Sequence, residues 1–383
     1  MTVEVLPGFV ADRWRALTPR SSFHDERWLT AMQSRLPGQV HTIIDGDRGI
    51  GFIAVVVTDP NGYEAYNPEA ILWRDPPVFE LTDPAGRGVD LPPDHPSALP
   101  ALVLVAPGYD GNPAGAGAGN PLSLQGFLSE LKDWCRDHGV ATLNLLFSSD
   151  DTVTEAVAAL GGLSYPITGR WSLPVWWTDW AGYLAGLTGK RARAVSREFR
   201  DATASMSLAE FAPLEHAEAL IEGRCALLRR YGQDGDPAAE HRRLALLTEQ
   251  FGDRLTAFGG FDQGRLVAGS LCLWHGRTLQ VMYSALTEAG QAHPFAHFAT
   301  VYYAVIERIG RTECDVIDYG ISHSAGKQAR GCRLDRLSGH VVPLAESDRP
   351  ALRRAVDLLT RHAEYPAADT ITPAPALAGR LSS

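Results

Sequence analysis

The stretch LTAFGGFDQGRLVAGSLCLWHGRTLQVMYSA, residues 255–285, decides the fold of this chain. It contains three apolar runs, Leu255–Phe261, Arg265–Trp274 and Thr278–Ala285. The segments between the runs, Asp262-Gln263-Gly264 and His275-Gly276-Arg277, are typical of tight hairpin turns. The pattern therefore predicts a meander of three antiparallel strands.

A helix and a further strand are expected after this meander. Apolar residues recur at helical spacing between Ala296 and Ile309, which predicts a helix with one buried face. Residues Asp315–Tyr319 then return to the pattern of a strand. The order is strand, strand, strand, helix, strand.

The N-terminal half follows the same plan. Strands are expected at Val40–Ile44, Gly51–Val57, Leu102–Ala106 and Ala141–Phe147, and the stretch Ser123–His138 places apolar side chains on one face of a helix. We therefore predict an α+β protein with two similar lobes, each a mixed, mostly antiparallel sheet flanked by helices. The expected segments are an N-terminal lobe over 1–165, a crossing segment over 166–189, a C-terminal lobe over 190–345, and a helix and tail over 346–383.

Two connecting segments have unusual compositions. The crossing segment holds four tryptophans, which we expect to pack between the lobes or to line a substrate cleft. The glycine-rich loop over 107–119 lies between a strand and a helix, where such loops can bind phosphate through backbone N–H groups. It lacks the spacing of a phosphate-binding or dinucleotide-binding motif, so a flexible loop of small residues is the alternative.

Composition excludes several classes of protein. The 383 residues are 45% hydrophobic and carry a formal net charge of −10, which disfavours a general nucleic-acid coat protein. Five scattered cysteines without CxxC spacing argue against a disulfide framework and a zinc site, so we expect buried thiols and no metal. No apolar run reaches membrane-spanning length and no signal peptide is evident, so a cytoplasmic location is expected.

Lysine is scarce in this chain. Lysine and arginine together number 35, but the lysines are only Lys132, Lys190 and Lys327. An arginine-rich composition could leave three lysines by chance. Lysine, however, offers a compact ammonium that can turn toward developing negative charge. Lys327 is the first candidate, because it lies in a short basic stretch that follows the strand at Asp315–Tyr319.

Several segments of the C-terminal half together resemble a known family. They are the basic stretch 187–200, the segment Gly264–Ser270, the helix after His293-Pro294-Phe295, and Asp318-Tyr319-Gly320 leading to Lys327-Gln328-Ala329-Arg330-Gly331. This ensemble resembles the acyltransferases of the GNAT superfamily, in the FemAB-like branch that duplicates the fold. The likeness extends from about Trp171 to Val342. Over the first half of the chain, it lies mainly in the pattern of strands and helices.

The resemblance implies a donor substrate. Acetyl-CoA-dependent GNAT enzymes bind the pyrophosphate with a Gln/Arg-x-x-Gly-x-Gly/Ala turn, and residues 287–293 here lack its arginine and second glycine. Fem-type enzymes also lack that turn, and they transfer an aminoacyl group from its tRNA ester to form an amide. Aminoacyl-tRNA is therefore the implied donor, with no bound cofactor. An acyl-CoA donor and a non-catalytic binding protein remain alternatives.

The acceptor is expected to be an amine. A small metabolite of specialised natural product biosynthesis and a peptide precursor of the cell wall are both compatible with the sequence. The oligomeric state is not predicted.

The resemblance also implies roles for individual residues. Lys327 would stabilise the oxyanion or bind the terminal ribose phosphate, with Arg330 and Arg333 beside it. Proton transfer would fall to Asp318, His297 or His323. The alternatives are structural histidines and an Asp318 carboxylate that is held by nearby arginines.

A second group of residues would bind substrate. Lys190, Arg193 and Arg197 recur at helical spacing, so they share a face that could contact the phosphates of a tRNA acceptor end or an anionic acceptor. A solvated helix neutralised by Glu198 and Asp201 is the alternative. Aromatic side chains expected to line or support the site are Tyr283, Tyr302, Tyr303 and Tyr319, although aromatic residues at such spacing are usually core.

Overall fold

A computed structural model describes residues 2–74, 78–79, 95–230, 232–233, 235–321, 324–361 and 363. These residues form two units, one from residues 2–169 with 335–363 and the other from residues 170–334. The boundary at 169/170 falls inside the predicted crossing segment, and residues 335–345, which were expected in the C-terminal lobe, lie in the first unit. The reason is that two long strands, Leu163–Pro174 and Arg333–Pro343, each begin in one unit and end in the other.

The described residues form the following strands: β1 Glu4–Pro7, β2 Gln39–Asp45, β3 Ile50–Val57, β4 Ala101–Leu104, β5 Thr142–Ser148, β6 Leu163–Pro174, β7 Ser207–Phe211, β8 Leu255–Asp262, β9 Arg265–His275, β10 Thr278–Leu286, β11 Val316–Asp318 and β12 Arg333–Pro343. The helices are α1 Ala11–Trp14, α2 Glu26–Met32, α3 Pro68–Trp73, α4 Pro121–Asp137, α5 Asp151–Ala159, α6 Trp180–Ala185, α7 Gly189–Thr203, α8 Ala217–Arg230, α9 Pro237–Phe251, α10 Ala296–Phe298, α11 Ala304–Ile309, α12 Ser324–Ala329 and α13 Arg349–Arg361.

In the first unit the strand order is β1-β2-β3-β4-β5-β12. The pairs from β1 to β4 are antiparallel, β4 pairs with β5 in parallel, and β5 pairs with β12 antiparallel. Helix α4 covers one face of this sheet with Leu124, Phe127 and Leu131, all fully buried. Asn120 caps the helix through its side chain and Pro121 occupies its first turn, so the sequence starts the helix at this point.

The second unit repeats this plan. Its strand order is β6-β11-β10-β9-β8-β7, with antiparallel pairs from β7 to β10, a parallel pair β10/β11 and an antiparallel pair β11/β6. The predicted meander is confirmed, and its strands end within a residue of the expected positions. The turn between β8 and β9 places Gln263 and Gly264 at φ angles of 47° and 79°, which suits a tight hairpin. The predicted α+β fold of two similar lobes is confirmed.

The parallel pair β10/β11 is short. It joins Thr278–Gln280 to Val316–Asp318 and ends there, while β10 continues to Leu286 against β9 alone. A register shift between Val281 and Tyr283 bends β10 just beyond the last pair. The two strands therefore part after Gln280 and Asp318, and the residues that follow them lie at the carboxyl ends of parallel strands.

The helix predicted over Ala296–Ile309 is confirmed, with an irregular centre. Residues Ala299–Tyr303 form a π-helical turn between α10 and α11. Phe295, which precedes the helix, has a φ of 57°, an uncommon left-handed conformation for a bulky residue. An extra residue within a helical turn changes which side chains face the sheet, and such turns are frequent at functional sites.

The tryptophan-rich segment contributes to the core of the second unit. Trp171 lies on β6, Trp177 precedes α6, and both are buried in the hydrophobic core of the second unit. Trp180 packs against Phe199 at 4.3 Å between ring centroids. These side chains therefore complete the core of the second unit, and packing of the segment between the lobes stays a prediction.

The glycine-rich loop over 107–119 is packed against its own unit. A Cβ atom added to Gly117 would lie 1.8 Å from the carbonyl oxygen of Arg48, and one added to Gly115 would lie 2.0 Å from that of Gly49. These glycines allow close approach of two backbone segments. The loop is thus packed closely against residues 48–49, and its contact with phosphate stays a prediction.

Across the described residues, no helix is both long enough and apolar enough to cross a membrane.

Candidate active site

Lys327 lies on α12, the short helix that follows β11 in the second unit. Its side chain is buried, at 6% exposure, and its ammonium donates hydrogen bonds to the carbonyl oxygens of Gly320 and Ile321 at 3.1 and 2.7 Å. Residues Ser324–Ala329 are helical, and the sequence did not predict this helix. The ammonium is therefore held at the end of the parallel strand pair by the chain that leaves β11.

Arg330 directly follows α12 and is buried at 3% exposure. Its Nη2 donates to Glu198 Oε2 at 2.5 Å and to the Tyr303 hydroxyl at 2.7 Å, and its Nη1 donates to the carbonyl oxygen of Gly326 at 2.8 Å. The Tyr303 hydroxyl donates to the same Glu198 oxygen. The guanidinium stacks on the Phe298 ring with Cζ 3.8 Å from the centroid, a cation–π contact.

Asp318, at the last position of β11, is also buried and already bonded. Its Oδ2 accepts from Arg170 Nη1 at 3.0 Å, and its Oδ1 accepts from the backbone N–H of Gly320 at 2.7 Å. The sequence left two roles open for Asp318, proton transfer and a carboxylate that is held by arginines. The structure shows the contact with arginine that the second role requires. Each carboxylate oxygen retains capacity for a second hydrogen bond.

The candidate tyrosines fall into two groups. Tyr302 and Tyr319 are buried and lie with ring centroids 4.6 Å apart, and burial raises the pKa of both phenols. The Tyr319 hydroxyl has no hydrogen-bond partner among the described residues. Tyr283 lies elsewhere, beside α8, where the Arg224 guanidinium is 5.2 Å from its ring centroid.

Gln280 was not considered from the sequence. It lies opposite Asp318 at the last parallel pair, where the two strands part. Its side chain is buried and its amide oxygen has no hydrogen-bond partner in the described part of the chain. Buried polar atoms are usually paired, so this oxygen and the Tyr319 hydroxyl are unused polar groups at the same end of the parallel pair.

The other predicted residues are not gathered around Lys327 in the same way. His297 is half-buried, with its ring centroid 5.6 Å from that of Phe298. Arg333 is exposed at the start of β12, so it does not join the buried Arg330. His323 lies outside the described residues.

The basic helix predicted from the sequence is α7. Lys190, Arg193 and Arg197 are all exposed, and none of them is paired with a carboxylate in the part of the chain that the structure describes. The alternative, a solvated helix neutralised by Glu198 and Asp201, does not hold for Glu198, which turns inward to Arg330. Asp201 instead lies 3.6 Å from Arg200. We refer to Lys190, Arg193 and Arg197 as the basic face of α7.

Sequence reasoning also missed that the half-buried Glu198 faces the core, although a signal was present. Glu198 follows the buried Val195 by three positions and precedes the buried Ala202 by four. Residues at this spacing share one helix face, so a carboxylate there requires a partner in the core. The partner, Arg330, is 132 positions away and could not be inferred from spacing.

The cysteine side chains lie as the sequence predicted. All five cysteines are free and buried, as expected, and burial raises the pKa of Cys332 to about 12. The described residues contain no cluster of three or more His, Cys, Asp or Glu side chains suited to a metal ion.

Comparisons with known proteins support the fold. No protein-family model and no curated protein matched the sequence. Among solved structures, FemX is similar with a TM-score of 0.57 at 10% identity, over 92% of this chain and 99% of FemX. The C-terminal domain (DUF2156) of a candidate lysylphosphatidylglycerol synthetase from Agrobacterium fabrum is similar with a TM-score of 0.54 at 8% identity, over 91% of this chain and 96% of that domain.

These likenesses are likenesses of fold, since the identities are low. The chain has a duplicated α+β fold that is similar to the fold of FemX. In its second unit, that fold places Lys327, Arg330, Asp318, Tyr302 and Tyr319 around the carboxyl ends of a parallel strand pair.

Proposed function

We propose that this protein is an acyltransferase that forms an amide bond, with aminoacyl-tRNA as donor and an amine as acceptor. The observation that carries the proposal is the buried Lys327 ammonium, which is fixed by the carbonyl oxygens of Gly320 and Ile321 where β10 and β11 part. The likeness of fold to FemX supports the class of reaction.

Acyl transfer from an ester to an amine passes through a tetrahedral oxyanion. A preorganised cation in a site that excludes water stabilises such a charge more strongly than a cation in bulk solvent. Lys327 has this character because its side chain is buried and its ammonium is anchored before any substrate binds. Its role in the proposal is to stabilise the oxyanion or the terminal ribose phosphate of the donor.

The acceptor amine must lose a proton as it attacks the ester. Asp318 is the candidate to receive a hydrogen bond from this amine, because Arg170 and the Gly320 N–H hold its carboxylate in place and leave further acceptor capacity. The Gln280 amide oxygen and the Tyr319 hydroxyl offer two more hydrogen-bonding groups nearby on the same strand pair.

The donor is inferred from charge. The basic face of α7 presents three exposed cations without carboxylate partners in the described residues, and phosphates bind such faces. The turn over 287–293 lacks the residues that hold a CoA pyrophosphate in related acetyltransferases, which favours a tRNA ester over a CoA thioester. One structural neighbour is named for the synthesis of a lysyl product, and this is in keeping with an aminoacyl group.

A donor-discharge assay tests the proposal. The protein is incubated with tRNA charged with labelled amino acids, or with labelled acyl-CoA, in the presence of a panel of amines. We expect acceptor-dependent discharge of aminoacyl-tRNA and a labelled amide product. Lys327→Ala should reduce the rate of this discharge by about 10²–10³-fold, whereas the matched variant Lys132→Ala should retain it.

Three outcomes would contradict the proposal. Discharge of acyl-CoA alone would assign the enzyme to the other donor. Lack of discharge from either donor would favour a binding protein built on the same fold. Full activity in Lys327→Ala would show that the enzyme works without Lys327.

A further inference from the structure

We propose that Glu198 is a positioning residue, which holds the Lys327 ammonium at the reaction site through Arg330 and Tyr303. This inference rests on the proposed function for its catalytic meaning. The contacts that carry it all lie within the second unit and do not depend on which donor is used.

Helix α12 cannot fix Lys327 by itself. It has six residues, and a helix this short is unstable without tertiary contacts. Its orientation must therefore come from the side chains that attach it to longer elements. Arg330, which directly follows α12, makes several of those contacts.

Arg330 joins α12 to two longer helices. Its Nη1 caps the carbonyl oxygen of Gly326 at 2.8 Å, and its backbone N–H bonds to the carbonyl oxygen of Lys327 at 3.1 Å. On the other side its Nη2 bonds to Glu198 of α7 and to Tyr303 of the π-helical turn. One guanidinium thus connects the backbone of α12 with both neighbours.

Glu198 supplies the negative charge that makes this arrangement possible. A buried guanidinium needs a carboxylate partner, since a charge removed from water is costly when it is left unpaired. The same carboxylate oxygen accepts from the Tyr303 hydroxyl, so it fixes two donors at once. Burial raises the pKa of the Tyr303 phenol, so this hydroxyl remains a hydrogen-bond donor at neutral pH.

The arrangement also links the active-site lysine to the basic face. Glu198 directly follows Arg197 on α7, and its side chain points about 100° away around the helix axis, toward Arg330. A single rigid helix therefore carries both the proposed phosphate contacts and the carboxylate that orients α12. The donor and the oxyanion-stabilising group are placed relative to one another by α7.

The test uses Glu198→Gln, which keeps the shape of the side chain and removes its charge. Asp201→Asn is the matched control, because it removes the same charge from the same helix without a contact to Arg330. Hydrogen–deuterium exchange in the full-length protein measures the protection of residues 325–332. We expect Glu198→Gln to reduce that protection at least about tenfold, as loss of a charge-assisted hydrogen bond implies. The control should match the wild type.

A kinetic arm separates positioning from general loss of stability. Glu198→Gln should lower kcat by about 10- to 100-fold with KM unchanged, since a small displacement of a catalytic group has such an effect. In the Lys327→Ala background the same change should cause no further loss, because the group that it positions is gone. A purely structural role would reduce the rate by the same factor in both backgrounds.

The outcomes of the two arms are distinguishable. Unchanged exchange in Glu198→Gln overturns the positioning role, whatever the donor assay gives. Altered exchange in a protein that discharges neither donor leaves Glu198 as the residue that orients α12 and refutes the proposed function instead. Equal rate losses with and without Lys327 would also overturn the positioning role.

Discussion

The Glu198 carboxylate lies 2.5 Å from Arg330 Nη2, and both side chains are largely removed from solvent, with 17% and 3% of their surfaces exposed. A buried pair of this kind contributes little net stability relative to two apolar side chains, but loss of one partner is costly. The pair therefore fixes the position of α12 relative to α7 more than it stabilises the fold.

The first prediction concerns the stability of this pair. Glu198→Ala should lower the free energy of unfolding by about 3–5 kcal/mol, because it leaves the Arg330 charge buried and unpaired. The double variant Glu198→Leu/Arg330→Met should lose less than Glu198→Ala does. Urea denaturation measures both values, and a double variant that is less stable than the single one would contradict the expectation.

The second prediction concerns Lys327. Lys327→Ala should reduce kcat by about 10²–10³-fold, the effect of removing one oxyanion donor. Steady-state kinetics with the true donor checks this, and a thermal melt shows whether the Gly320 and Ile321 carbonyls tolerate the loss of the ammonium. A folded variant with wild-type kcat would remove Lys327 from the mechanism.

The third prediction concerns the basic face of α7. Replacement of Lys190, Arg193 and Arg197 by Ala should weaken tRNA binding and reduce the slope of log K against log salt by about 2, since each lost phosphate contact removes about 0.7–0.9. A control replaces Arg229, Arg230 and Arg242, which are also exposed. Fluorescence titration over a range of salt concentrations is the measurement, and equal effects of the two triple variants would point to nonspecific attraction.

The fourth prediction concerns pH and His340 in the first unit. His340 is fully buried, its Nδ1 lies 2.8 Å from Ser164 Oγ, and burial lowers its pKa to about 4. The folded state therefore favours the neutral ring, and the unfolded state takes up a proton first as the pH falls below about 6.5.

The contribution of His340 to the free energy of unfolding should be fully present above a pH of about 6.5. It should fall by roughly 3 kcal/mol in total as the pH drops to about 4. His340→Leu should flatten this part of the pH–stability curve, because a leucine does not titrate. Urea denaturation between these pH values is the test, and an unchanged slope in the variant would contradict the assignment.

The fifth prediction concerns the glycine-rich loop. Gly117→Ala should destabilise the protein by about 1–3 kcal/mol, because its Cβ would lie 1.8 Å from the Arg48 carbonyl oxygen. Gly119→Ala is the matched control, since no atom lies within 4 Å of the added Cβ. Comparison of the two melting temperatures decides whether the close approach matters.

The sequence predicted the fold better than the site. Strands β8, β9 and β10 were placed almost to the residue, because their apolar runs are interrupted by glycine-containing turns. The helix α12 was not foreseen, since six residues carry too little periodicity to stand out from a loop.

Long-range contacts explain what was missed in the site. Glu198 and Arg330 are separated by 132 positions, and Asp318 meets Arg170 across 148. Only the three-dimensional arrangement shows that Arg330, directly after α12, binds the Glu198 carboxylate. It also shows that Arg170 of β6 binds the Asp318 carboxylate. The scarcity of lysine identified Lys327 as a candidate, but it gave no information on the carbonyl oxygens that hold its ammonium.

The unequal exposure of the three lysine side chains has a practical consequence. Lys327 is buried and Lys132 is half-buried with its Nζ on the Leu160 carbonyl, whereas Lys190 is exposed on α7. An amine-reactive crosslinker will therefore attach to lysine chiefly at position 190. Reagents of this kind would tether the native protein to whatever macromolecule docks along that helix, and mass spectrometry of the tethered product would identify it.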